Sequence, residues 1–178
     1  MRVLNIHERN LPIAPARVGE LLDTLASPND RLWPKAAWPR MAFDRPLGVG
    51  ADGGHGPIRY VVAAYDPGVS VVFRFKGPRG FDGGHRLDVI ARPDGTTILR
   101  HTLEMEAHGL ARVTWPLAFR HLHDALVEDA LALAQTNLGL PPDVHPWSWW
   151  VKLLRWTMTG GKANPQSKLG NSFEIAHS

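Results

Sequence analysis

His85-Arg-Leu-Asp-Val-Ile-Ala-Arg-Pro-Asp-Gly95-Thr-Thr-Ile-Leu-Arg-His-Thr-Leu103 forms a β-hairpin whose register can be worked out residue by residue. Alternating side chains flank Pro93-Asp94-Gly95. A type I turn closed by a left-handed glycine gives a three-residue loop with a bulge. Arg92 then faces Thr96, which sets Val89 opposite Leu99, Leu87 opposite His101 and His85 opposite Leu103. Arg86, Asp88, Arg100, Glu104 and Glu106 fall on the other face. One apolar and one charged face describe an antiparallel sheet with a core on one side and water on the other.

The preceding hairpin turns at Asp66-Pro67-Gly68-Val69, where Pro then Gly suit a type II turn. Asp66 facing Val69 puts Ala64 opposite Val71, Val62 opposite Phe73 and Tyr60 opposite Phe75. A type II loop splays a two-residue hairpin, so a bulge would shift this register. Upstream, Val3 to His7 has strand character. Pro15 suits a helix start, and Val18, Leu21, Leu22 and Leu25 follow at helical spacing. Ser27-Pro28-Asn29-Asp30 ends that helix, and Trp33-Pro34 and Trp38-Pro39 break the next stretch into short pieces. Trp115-Pro116 leads into a long helix over about 117–138 with an apolar stripe: Trp115, Phe119, Leu122, Leu126, Ala130 and Leu133. The layout is α+β, helix on sheet.

The chain has 178 residues, 44% hydrophobic and 21% charged, which excludes a polar disordered chain. Residues 1–138 form one domain; 139–178 form a Trp-rich extension with a short amphipathic helix and a flexible polar end. The absence of cysteine removes disulfides and thiol chemistry. A net charge of +3 is too small for a nucleic-acid surface, so no nucleic-acid partner is expected. With neither a secretory h-region nor a spanning stretch visible, a cytoplasmic location is expected.

This order resembles the helix-grip fold of the START-like superfamily, also called SRPBCC or polyketide cyclase/dehydrase-like. The resemblance is carried over residues 1–138 by Leu11-Pro-Ile-Ala-Pro-Ala-Arg-Val18, Tyr65-Asp-Pro-Gly68, Thr96-Thr-Ile-Leu-Arg-His-Thr-Leu-Glu104 and the closing helix. The run from Phe73 to His85 looks like a bacterial subgroup with no assigned chemistry. The resemblance implies a curved antiparallel sheet wrapped around a long C-terminal helix, with two short helices after the first strand. It also implies a cavity for a lipid-, polyketide- or quinone-like molecule; no cofactor is expected. It brings no catalytic motif, so activity has to be argued from the site. With the registers above, the expected lining is Tyr60, Val62, Phe73, Phe75, His85, Leu87, Leu99, His101, Leu103, Met105, Phe119 and His123.

Three functions stay open: binding of a hydrophobic or aromatic small molecule, cyclase- or dehydratase-like catalysis, and protein or membrane interaction. His85 and His101 face inward, diagonal across adjacent strands. Each is either a general acid/base or a core histidine satisfied by a hydrogen bond, and His123 is a third candidate from the helix side. His121 and His123, two apart on a helix, point away from each other, so no metal site is expected. Of Asp82, Asp88 and Glu104, the register turns Asp88 and Glu104 outward, and Asp82, near a loop, is left as a candidate carboxylate. Gly48-Val-Gly-Ala-Asp-Gly53 matches a dinucleotide fingerprint in letters, but a strand follows it where that motif needs a helix. It reads as a hairpin loop at the cavity mouth. No Gly-x-Ser-x-Gly or His-Glu-x-x-His occurs.

Trp147-Ser-Trp149-Trp150-Val-Lys-Leu-Leu-Arg-Trp156 aligns Ser148, Lys152, Arg155 and Thr159 as one polar stripe on a helix otherwise apolar. Three occupants are open for its apolar face. They are the chain's own domain, a second copy in a homodimer, and a membrane interface touched by Trp147, Trp149, Trp150 and Trp156.

Overall fold

A computed structural model describes residues 1–160. Seven strands form one antiparallel sheet: β1 (Arg2–Leu11), β2 (Ala42–Phe43), β3 (Asp52–His55), β4 (Ile58–Asp66), β5 (Ser70–Gly77), β6 (Phe81–Ala91) and β7 (Thr97–Ala107). Their order is β1-β7-β6-β5-β4-β3-β2, so the first strand closes against the last. The helices are α1 (Pro15–Leu22), α2 (Ala111–Thr114), α3 (Arg120–Asn137) and α4 (Trp149–Met158). A π-helical turn, Trp115–Phe119, joins α2 to α3. Among the described residues no helix is long and apolar enough to cross a membrane.

The β6–β7 hairpin has the expected register: Val89 faces Leu99, Leu87 faces His101 and His85 faces Leu103. Arg92 N–H donates to Thr96 O at 2.9 Å, and Gly95 takes φ +81°. The β4–β5 hairpin differs near its turn. Asp66 faces Ser70 and Ala64 faces Val72, because the loop has three residues. A bulge at Ala63 then absorbs the extra residue, so Val62 still faces Phe73 and Tyr60 still faces Phe75. Such bulges bend a strand and help curve the sheet.

Pro15 occupies the first turn of α1, and Ala14 before it is extended, as the residue before a proline prefers. The second expected short helix is a single turn, with Trp38 N–H on Pro34 O at 3.1 Å. Asp30 shapes the loop before it. Its Oδ1 accepts from Leu32 N–H and Trp33 N–H at 2.9 and 2.8 Å, and its Oδ2 from Ala26 N–H at 2.8 Å. These bonds replace the repetitive ones that the prolines deny.

The long helix starts at Ala111, earlier than expected. Pro116 lacks the N–H for the α-helical ladder, and the π turn accommodates it, with Arg120 N–H reaching Trp115 O. Leu126 and Leu131 of α3 share one core with Tyr60, Val62, Phe73 and Leu99 of the sheet. A second cluster at the other end joins Val3, Phe81, Leu103, Met105 and Trp115. The buried face of α3 is rotated from the expected stripe: Val127, Asp129 and Ala134 are buried, whereas Ala130 and Leu133 are half-buried.

The extension docks on the domain. Trp147 and Val151 are buried, Trp147 Nε1 donates to Asp129 Oδ2 at 3.0 Å, and Trp150 Nε1 donates to Leu117 O at 2.7 Å. Ser148 Oγ caps α4 by accepting from Val151 N–H at 3.2 Å. Trp149 and Trp156 stay exposed. The polar end from Lys162, expected to be flexible, lies outside the described residues.

Candidate functional site

Between the sheet and α3 lies a cavity of about 110 Å³. An apolar cavity of about 150 Å³ is large enough to hold benzene, so this one is on the scale of a single small ring. Phe75, His85, Leu87, Leu99, His101 and Leu103 line it from β5, β6 and β7. The helical side contributes Trp115, Phe119, Leu122, His123, Leu126 and Leu131. Strand alternation and helical spacing bring these residues to one place.

Four residues expected in the lining do not reach it. Tyr60 and Phe73 are buried in the core behind the lining residue His85, whose ring centre is 4.9 and 4.7 Å from theirs, and Phe43 of β2 packs against both. Its ring stacks on Phe73 at 6.0 Å and meets the edge of Tyr60 at 5.9 Å. Val62 is packed in the same core, and Met105 belongs to the second cluster. Sequence patterning missed the opposite wall: Leu32, Trp33, Trp38, Met41, His55 and Arg155. The stretch of residues 32–41 has no periodicity, and only its concentration of large apolar side chains hints at burial. The glycine-rich run at 48–53 forms a turn and the start of β3, and it is His55, Pro57 and Ile58 just beyond it that line the cavity. Asp82 is exposed, away from the lining.

Polar groups cross the site in a file. His55 Nδ1 lies 3.0 Å from Tyr60 Oη, and the Tyr60 ring meets His85 edge-on at 4.9 Å. His85 Nδ1 is 3.2 Å from His101 Nε2. The rings of His101 and His123 are 4.9 Å apart, and His7 follows at 6.0 Å from His123. Among the described residues, His85 Nε2, His101 Nδ1 and His123 Nε2 are buried without a hydrogen-bond partner. A buried polar atom without a partner is uncommon and costly. For two neutral imidazoles sharing one hydrogen bond, the outer nitrogens are one donor and one acceptor, whichever ring donates.

The file ends in charge. His7 Nδ1 meets Glu128 Oε1 at 2.7 Å and His7 Nε2 meets Asp124 Oδ1 at 3.2 Å. Burial works against a charge on His7, but hydrogen bonds to Asp124 and Glu128 outweigh it, raising its pKa to about 9. Glu128 is lowered to about 2, chiefly by the hydrogen bond from His7. Burial opposes the charge on Asp124 too, yet bonds from His123 and His7 carry it below the usual carboxylate range. Inward the sign reverses. Desolvation lowers His55 to about 3 and pushes His85 and His101 well below 6.5, so these rings are neutral.

His7, His123 and Asp124 place three metal-ligating atoms within 4.8 Å of one another. His121 is exposed and takes no part. Sequence spacing could not show this group, because His7 comes from β1. As it stands Asp124 Oδ1 accepts from Asn5 Nδ2 at 2.9 Å and from His7, and a protonated His7 is not a metal ligand. The group reads as an ionic tie between β1 and α3.

No family model matches the chain, and neither does any curated protein. Solved structures do match. Norcoclaurine synthase from Thalictrum flavum, in complex with dopamine and hydroxybenzaldehyde, superposes with a TM-score of 0.57 at 13% identity, over 78% of this chain and 88% of that one. A protein from Thermobifida fusca gives 0.58 at 16% identity, over 80% and 99%. The di-domain ARO/CYC StfQ from the steffimycin biosynthetic pathway gives 0.55 at 14%, over 76% of this chain and 50% of that one. At such identities the likeness concerns architecture, and with the sheet order and closing helix it establishes that the chain has the START-like helix-grip fold.

Proposed function

We propose that the protein binds a small apolar molecule with an aromatic ring and one hydrogen-bonding group, held between the sheet and α3. The observation that carries this reading is the His85–His101 pair, set in a wall otherwise almost entirely apolar, with its outer nitrogens unpartnered. Apolar burial supplies affinity at roughly 25 cal/mol per Å², and a bond to an imidazole fixes orientation. A hydroxyl or carbonyl on the ligand matches what the pair offers. The norcoclaurine synthase complex, whose ligands are single-ring phenolic molecules, lends support from the same fold.

The His85–His101 contact also favours a second reading, acid–base catalysis. Burial weighs against it. With both pKa values pushed well down, each ring is a weak base and has no proton to give as imidazolium at neutral pH.

Native mass spectrometry of protein purified from its own host tests the binding reading, followed by NMR titration with phenols and aryl ketones. The expected result is a co-purified apolar compound, or shifts centred on Phe75, Leu99, His101 and Phe119. A chain that arrives empty and shows no shift at those residues with any compound would overturn the reading.

A further inference from the structure

Among the described residues Arg155 is the one arginine or lysine of the cavity wall, and it comes from the extension. Helical spacing aligns it with Ser148, Lys152 and Thr159, a polar stripe that would ordinarily face water. Lys152 is exposed, but Arg155 is turned inward and only 6% exposed. Its Nη2 donates to Ala37 O at 2.7 Å, and its Cζ lies 4.8 Å from the centre of the Trp38 ring. Its Nε is buried without a partner, and no carboxylate pairs with the guanidinium among the described residues.

A guanidinium carries five donors in a rigid fork and stays charged in proteins. Taking that charge out of water is expensive unless an anion and further hydrogen bonds repay it. The face of Trp38 and one carbonyl offset part of the cost. Every ion pair that involves an arginine among the described residues places that arginine outside the cavity lining. Asp129, a buried acid linked to Arg155 through Trp38, spends one oxygen on the indoles of Trp38 and Trp147. A buried cation in the lining of an apolar cavity, with its Nε donor unused and no carboxylate on it, is arranged to receive an anion.

We infer that the ligand carries a carboxylate and that Arg155 pairs with it. This rests on the cavity being a binding site, and it narrows the ligand class to small apolar or aromatic acids. It also gives the extension a role: α4 completes the site by bringing in the charge that reads the acid. A fork-shaped donor set recognises a planar carboxylate better than a neutral amide of the same shape.

The test pairs each acid with its neutral amide: benzoate with benzamide, phenylacetate with phenylacetamide, 3-phenylpropanoate with its amide. Affinities are measured by NMR titration on the full chain and on Arg155→Gln and Arg155→Lys, with melting curves as a control for folding. The expected result is tighter binding of the acids, lost by about 10- to 100-fold in Arg155→Gln and partly kept in Arg155→Lys, while the amides bind all three alike. Equal binding of acid and amide overturns the carboxylate inference and leaves the cavity reading standing. So does an acid preference that survives Arg155→Gln. If neither acids nor amides bind at millimolar concentration, both fall together. Glu174→Gln removes the one side-chain carboxylate of residues 161–178. It is expected to leave acid affinity unchanged, and a gain would make the chain's own carboxylate the partner of Arg155 and overturn the inference.

Discussion

His85 Nδ1 and His101 Nε2 lie 3.2 Å apart in the cavity wall, and each ring is the other's only hydrogen-bond partner among the described residues. Their side chains are buried to 9% and 6% exposure, so neither can turn to bulk water for a replacement. Removing one partner strands the other, whereas removing both leaves nothing unsatisfied.

The two positions should therefore be strongly non-additive. His85→Leu and His101→Leu are each expected to cost roughly 1–3 kcal/mol, and the double variant clearly less than their sum. Urea denaturation of the four proteins measures this. Strict additivity would mean that the contact contributes nothing.

The same burial sets an acid limit. Desolvation lowers both histidines below 6.5, so the unfolded chain takes up protons that the folded chain refuses. Their contribution is fully present above pH 6.5 and is lost as pH falls below it. The double leucine variant should lose less stability than the parent between pH 6.5 and 5. Parallel pH–stability curves would contradict this.

At His7 the sign is opposite. Its pKa rises from 6.5 to about 9, so the folded state holds a proton more tightly than the unfolded chain. The stability this contributes is complete below pH 6.5 and lost as pH rises through 9. With the side chain 15% exposed, His7→Gln should cost roughly 2–3 kcal/mol at pH 6 and markedly less at pH 9.5. A cost that does not change with pH would show that His7 is not charged in the folded protein.

What could be read from the sequence was local. Alternation across β6 and β7 plus the Asp94-Gly95 turn give the pairing of His85 with Leu103 without any knowledge of the rest. The β4–β5 turn was misplaced by one residue because Val69 belongs to the loop, an error hidden further along by the bulge at Ala63. Alternation puts Tyr60 and Phe73 on the inner face, yet they pack among Phe43 and His85 and stay out of the cavity lining, and a two-residue strand such as the one carrying Phe43 leaves no periodic trace. His7 meets Glu128, and Arg155 meets Ala37, across separations of 121 and 118 residues, where neither spacing nor propensity constrains the outcome. The proline-broken wall at 32–41 is ordered by Asp30 through side-chain bonds that no hydrophobic pattern encodes.

Gly19 illustrates how context reverses a propensity. In an ordinary exposed helix, glycine to alanine gains up to about 1 kcal/mol. Here α1 rests on the β4–β5 turn, and a Cβ on Gly19 would lie 2.4 Å from Gly68 O. Asp23 Oδ1 locks the same joint, accepting from Gly68 N–H and Tyr65 Oη–H, each at 2.8 Å. Gly19→Ala should destabilise by roughly 1–3 kcal/mol. A rise in melting temperature would show that α1 can lift from the turn.

Asp129 ties the extension to the domain, and the chemistry of the tie can be dissected. Both indoles donate to one oxygen, Oδ2: Trp38 at 2.7 Å and Trp147 at 3.0 Å. Burial raises the pKa of this carboxyl, so its charge is a cost and the acceptor oxygen is the useful part. Asparagine keeps a carbonyl oxygen for both donors and discards the charge. Asp129→Asn should cost under about 1 kcal/mol, whereas Asp129→Ala, which removes the acceptor shared by both indoles, should cost roughly 2–4 kcal/mol. The alanine variant should also expose Lys152 and Arg155 to trypsin sooner, because the indole that anchors the start of α4 has lost its acceptor. Limited proteolysis read by mass spectrometry separates the two variants. Equal cleavage rates would mean that packing of Trp147 and Val151 holds the extension without the carboxylate.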